Sequence, residues 1–79
     1  MQYRILYFAS LRDVTGCDSE LVGSACADAR SLYDELRGRH GFTLAAERLR
    51  VAVNGEFAPW SQTLAEGDEV AFLPPVSGG

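Results

Sequence analysis

Seventy-nine residues allow one small domain and leave no room for a second. The formal charge is −4, from seven arginines, no lysine and eleven acidic residues, and the arginines are scattered from Arg4 to Arg50. No dense basic run is present to neutralise phosphates or to sit on an anionic bilayer, which excludes nucleic acid and membrane as partners.

An apolar fraction of 47% and a charged fraction of 23% fit a folded chain and not a disordered one. No apolar run reaches the ~18 residues of a membrane-spanning helix. The opening MQYRILYFAS is too short and wrongly organised for a signal peptide, so the cytoplasm is the expected compartment.

Residues 3–9, YRILYFA, are aromatic and β-favouring and predict a strand. Tyr3, Ile5 and Tyr7 fall on one face, Leu6 and Phe8 on the other. A strand apolar on both faces is sandwiched, or it has one covered face and one sticky one. Residues 10–18, SLRDVTGCD, read as a loop, and 19–23, SELVG, as a second strand completing a hairpin.

Asp28 then stands where a helix N-cap belongs, because its carboxylate can accept from the orphan amides of a first turn. Ala29, Leu32, Tyr33 and Leu36 follow at i, i+3, i+4 and i+7, one apolar helical stripe. Gly41 sits at the C′ position, with Phe42 placed to fold back on the last turn. Arg37, Arg39 and His40 lie near the negative end of the helix dipole. A lone histidine without a nucleophile or acid at motif spacing reads as a solvated helix-end residue, not a catalytic one.

Residues 43–48 support a short helical turn at most. In 49–58, LRVAVNGEFA, Asn54-Gly55 between two β-favouring runs predicts a hairpin turn. Glu66-Gly67-Asp68 makes a further turn, and 69–73, EVAFL, a last strand, with Val70 and Phe72 on one face and Ala71 and Leu73 on the other. Strand, strand, helix, strand, short strand, strand is an α+β order in which a single main helix covers one face of the sheet. If the first and last strands are neighbours, Phe8, Leu73 and Leu6 form an apolar patch on the uncovered face, the usual mark of a partner surface. Cys17 and Cys26 are nine apart and form no CxxC. With one histidine in the chain there is no zinc constellation, and the two thiols read as structural.

The chain ends FLPPVSGG. Pro74 and Pro75 donate no amide hydrogen bond and fix φ, so they stop ladder pairing and aim the chain outward. Residues 74–79 reach roughly 20 Å when extended. Val76, Ser77, Gly78 and Gly79 make a thin arm with little to pack on its own domain, and Gly79 presents an α-carboxylate with no side chain beside it. This divides the chain into a domain, 1–73, and an extended tail, 74–79.

EGDEVAFLPPVSGG (66–79), ILYFASLRDVTG (5–16) and VAVNGE (51–56) resemble the ubiquitin-like MoaD/ThiS family of sulfur carriers, and within it the small subunits of molybdopterin synthase. The resemblance implies a β-grasp fold: a mixed sheet of four to five strands with one main helix packed on one face. It implies that the Gly79 carboxylate is adenylated with ATP by an E1-like, MoeB-like activating enzyme and converted to a thiocarboxylate. The tail from about Pro75 to Gly79 would enter a MoaE-like large synthase subunit, with Pro74 among the partner-binding residues, and give its sulfur to cyclic pyranopterin monophosphate. Phe8 and Leu73 match the family's apolar subunit interface, where phenylalanine is common at the second position, so Leu73 is a mild departure. Arg12 matches a family arginine without revealing its role.

A carrier of this kind needs no permanently bound cofactor, no metal and no catalytic side chain of its own, so the implied class is a non-catalytic subunit. Its precursor is a phosphate ester, whose basic pocket belongs in the partner and not in an acidic chain. The absence of lysine either removes ε-amines that an activated terminus could acylate, or reflects a compositional preference for arginine. Other readings remain open here: a carrier for thiazole, tRNA thiolation or cysteine synthesis, a ubiquitin-like conjugating modifier, or an interaction module with a passive tail.

Overall fold

The first and last strands lie side by side at the centre of one sheet, and every other element is arranged around that pair. The structure is a computed structural model that describes residues 1–75. Its elements are β1 (Gln2–Tyr7), α1 (Ala9–Thr15), β2 (Ser19–Gly23), α2 (Ala29–His40), a 3₁₀ turn (Ala46–Arg48), β3 (Arg50–Val53), β4 (Glu56–Ala58) and β5 (Glu69–Leu73). The sheet order is β2-β1-β5-β3-β4. β1 and β5 are parallel, with Ile5 opposite Val70 and Tyr7 opposite Phe72, and the other pairings are antiparallel. The sheet is mixed and five-stranded with one main helix, within the four to five strands that the family resemblance implies.

One sheet face is closed by α2. Tyr3, Ile5, Tyr7, Val22, Val51, Val70 and Phe72 meet Ala29, Leu32, Tyr33 and Leu36 in a single buried cluster. The period-2 strands and the period-3.6 stripe present these residues to each other. Tyr3 and Tyr33 are fully buried but keep their hydroxyls bonded, to the carbonyls of Cys26 and Leu44, each at 2.6 Å. Aromatic rings thicken this thin core: Phe72 lies 5.2 Å from Tyr33 and 6.0 Å from Trp60. Leu36 is fully buried. Leu36→Ala is expected to lower unfolding free energy by about 2–5 kcal/mol in urea titrations, through lost transfer energy plus the cavity.

The ends of α2 are as the sequence predicts. The Ser31 amide donates to Asp28 Oδ2 at 3.0 Å, and its hydroxyl donates to Oδ1 at 2.7 Å. Gly41 takes the left-handed conformation, φ 75°, and its amide donates to the Arg37 carbonyl at 2.8 Å. The Ser31 hydroxyl, then its amide, hold the Asp28 carboxyl below the usual range. A depressed carboxyl contributes stability above its unfolded pKa of about 3.9, and the contribution disappears as pH falls through the folded value. Asp28→Ala should therefore cost about 1 kcal/mol at neutral pH, and measurably less near pH 3.

Two expectations need correction. Residues 10–18 are not all loop, since Ala9–Thr15 is helical and β1 ends at Tyr7 instead of running to residue 9. Seven residues span barely two turns and bury only Leu11, so no apolar period shows in the sequence. Gly16 ends this helix at φ 76°. His40 does lie at a helix end, but it is only 21% exposed, and Nε2 is 3.0 Å from Glu20 Oε2 and 3.4 Å from the Tyr7 hydroxyl. The Tyr7 hydroxyl donates to the same carboxylate at 2.9 Å, and burial together with that bond pushes its pKa well above the ordinary tyrosine value. The cluster ties β1, β2 and α2 together on the helix side of the sheet. Cys17 and Cys26 are free and half-buried, as expected. No helix among the described residues is long and apolar enough to cross a membrane.

Candidate functional site

Among the described residues no second layer lies over the sheet face turned away from α2. Strand register decides which side chains gather there. Leu6 is opposite Ala71, Ala71 opposite Ala52, and Ala52 opposite Phe57, so one row crosses four strands. Above it, Leu73 is opposite Arg50, and Phe8 stands just beyond the end of β1. Phe8 is 43% exposed and Phe57 66%. With Leu6, Ala52, Ala71 and Leu73 they line a shallow hollow of about 260 Å³. Exposed aromatics clustered over a hollow are what a docking face offers, whereas scattered single apolar residues would mean little.

Local structure fixes both phenylalanines. Phe8 is the N-cap residue of α1 and is extended, φ −125° and ψ 150°. Ala9 then turns the chain through a left-handed φ of 51°. That conformation costs a non-glycine residue on the order of 1 kcal/mol, strain held at the point where the chain leaves the sheet beside the hollow. Phe57 is placed by the predicted hairpin. Asn54 and Gly55 both have positive φ, 53° and 86°, which is the type I′ turn that such a dipeptide favours. The turn is latched to the one before β5: Asn54 Nδ2 donates to Asp68 Oδ1, and the Glu69 amide donates to Asn54 Oδ1, each at 3.0 Å.

Thus the structure brings Leu6, Phe8 and Leu73 together, and adds Phe57, which the sequence analysis missed. The signal was present, since a two-residue turn at 54–55 pairs Ala52 with Phe57. Membership of the patch, however, also needs β3 to lie beside β5, and no local pattern reveals that.

The tail starts from the same end of the sheet. β5 finishes at Leu73, and the two prolines follow outside the ladder, Pro74 half-buried and Pro75 exposed. The expected site residues Val76, Ser77, Gly78 and Gly79 lie outside the described residues. Arg12 is not among the residues lining the hollow. It forms an exposed ion pair with Asp18 at 3.5 Å, which contributes little to stability. Among the described residues no group of His, Cys, Asp and Glu side chains could hold a metal ion.

Comparison with known proteins agrees with this geometry. The ThiS family model matches residues 5–79. The molybdopterin synthase sulfur carrier subunit of Escherichia coli is 33% identical, over 96% of this chain and 98% of that protein. Small archaeal modifier protein 1 of Haloferax volcanii superposes with a TM-score of 0.79 at 29% identity, covering 95% of this chain and 98% of the other. A protein–protein complex of subunits 1 and 2 of the molybdopterin-converting factor from Helicobacter pylori shares the fold, TM-score 0.69, at 21% identity and full coverage of both chains. The chain belongs to the ThiS family, on its molybdopterin synthase sulfur carrier branch.

Proposed function

We propose that Gly79 is the sulfur-bearing residue, and that the chain works by presenting it to two proteins in turn. The observation that carries this reading is the placement of Phe8, Phe57 and Leu73 at the root of a chain ending Gly-Gly. A partner held on that face lies within reach of the tail, which from Pro74 extends up to roughly 20 Å.

The chemistry asks little of the carrier itself. A carboxylate is a poor acyl donor until one oxygen becomes a good leaving group. In an E1-like, MoeB-like activating enzyme, the Gly79 carboxylate attacks the α-phosphorus of ATP. An acyl-adenylate forms and pyrophosphate leaves. Hydrosulfide, or a persulfide whose S–S bond a second thiol then cleaves, attacks the acyl carbon and displaces AMP, and the terminus is a thiocarboxylate. In the MoaE-like large subunit the thiocarboxylate sulfur bonds to a carbon of cyclic pyranopterin monophosphate and displaces an oxygen substituent there. Water then cleaves the resulting thioester and returns the Gly79 carboxylate, and the catalytic groups for the transfer belong to the large subunit. The tail from Pro74 to Gly79 is thin enough to enter a channel, because glycine allows a close approach of backbone to backbone. Phe8 and Leu73 anchor the body of the domain outside it.

Isotope exchange between pyrophosphate and ATP tests the first step. The chain together with the E1-like enzyme of its own organism should support exchange that neither supports alone. Exchange independent of the chain would sink the reading. One observation favours a second reading, a conjugating modifier, since a Haloferax structure that shares the fold is named a modifier protein. Isopeptide-linked products in cells would distinguish it, and the carrier reading predicts their absence.

A further inference from the structure

The segment that feeds β3 reads Ala-Glu-Arg-Leu-Arg, 46–50. Leu49 turns inward and is 6% exposed, which leaves Arg48 and Arg50 exposed on either side of it. Arg50 pairs in register with Leu73, the residue before the two prolines. Its guanidinium carbon stands 5.2 Å from the centre of the Phe57 ring. This ring contact restrains a long side chain beside the root of the tail. A groove of about 490 Å³ opens here, floored by Leu49, Phe57, Leu73 and Pro74 and rimmed by Arg48 and Arg50.

The arginines of this groove have no ion-pair partner among the described residues. Its one acidic rim residue, Glu47, is already paired with Arg30 at 3.2 Å. The ion pairs among the described residues include neither Arg48 nor Arg50. Two such arginines lining one groove make a local positive patch on a chain that carries −4 overall. Guanidinium presents a planar fork of donors suited to a carboxylate.

We propose that Arg48 and Arg50 form a carboxylate-recognition site at the root of the tail, and that its occupant is an Asp or Glu side chain of the large synthase subunit. The inference rests on the proposed function, which supplies that partner. The partner's pocket must be basic to hold a phosphate ester, so its surface attracts most of this acidic chain without choosing an orientation. One reversed charge pair at the mouth of the channel supplies the choice. In the correct pose the two arginines meet the acid, and in a wrong pose they face like charge.

The test uses the full-length chain and the large subunit of its own organism, with affinity measured by calorimetry at about 0.05 M and about 0.5 M salt. The double substitution Arg48→Gln/Arg50→Gln should weaken binding about tenfold at low salt, with the difference shrinking at high salt. Arg50→Lys, which keeps the charge but not the fork, should fall between. Thermal unfolding of the variants should match the wild type, because both positions are exposed. Equal affinity of the double variant and the wild type overturns the site. So does tighter binding by the double variant, which would make the chain's own terminal carboxylate the occupant, or an effect confined to the activating enzyme. Failure of the wild type to bind the large subunit at all would overturn the function reading itself, which is a different result from losing the arginine effect.

Discussion

Deletion of Gly79 should reduce dithiolene formation from the precursor to background, in a reconstituted assay with the large subunit, the activating enzyme, ATP and a sulfur source. The same deletion should leave unfolding free energy within about 0.5 kcal/mol of wild type, since the residue lies beyond the last strand. The contrast between the two measurements carries the prediction. Removing one glycine leaves Gly78 with a terminal carboxylate, so the chemical group survives. What changes is its position, by about 3.3 Å. An acyl group held that far from the α-phosphorus of ATP, or from the acceptor carbon of a pterin, is no longer in attacking geometry, and misplacement of about 1 Å alone can cost a hundredfold. Full activity of the shortened chain would mean that the tail is passive.

Phe8→Ala combined with Leu73→Asp should weaken binding to the large subunit by at least about 2 kcal/mol, roughly thirtyfold. The two side chains sit differently from the core. Phe8 keeps 43% of its surface in solvent, whereas Phe72, one residue from Leu73, keeps none. Truncating Phe8 therefore removes little that the isolated domain uses. A charge at position 73 would be buried without a partner once the face is covered, which is costly in the complex and tolerable in the free chain. Urea unfolding of the free variants should lose less than the binding free energy does. Equal losses in both measurements would place Phe8 and Leu73 in the core and remove the docking face.

The elements readable from sequence are those whose signals are local. The Asp28 cap, the Ala29-Leu32-Tyr33-Leu36 stripe and the Gly41 stop each need only a few neighbouring residues, and each appears in the structure as expected. Asn54-Gly55 similarly specifies its hairpin without reference to the rest of the chain. Helix α1 escaped because one buried residue, Leu11, makes no period, and because Phe8 offers its first turn no side-chain cap. His40 escaped differently: its partners, Glu20 and Tyr7, come from strands 20 and 33 residues earlier, and only the fold brings them to it.

The candidate site was half legible for the same reason. Phe8 and Leu73 belong to the first and last strand runs, whose two-sided apolar pattern suggests that they are neighbours, while their parallel pairing is seen only in the fold. Phe57 belongs to the shortest strand, and its place in the patch depends on the sheet order β5-β3-β4. The Arg50–Phe57 contact depends on that order as well. Composition showed scattered arginines and no cluster, and only the fold sets Arg48 and Arg50 beside the tail's root.

Intact mass spectrometry of the chain purified from its own cells tests the central claim most directly. The predicted result is a fraction whose mass exceeds that of the plain chain by the difference between sulfur and oxygen. On alkylation of the denatured chain that fraction should take up one alkyl group more than the plain chain, whose Cys17 and Cys26 thiols react in both, and the additional group should map to Gly79. A terminus found only as the plain carboxylate in cells that are making the cofactor, or found in isopeptide linkage to other proteins, would contradict it.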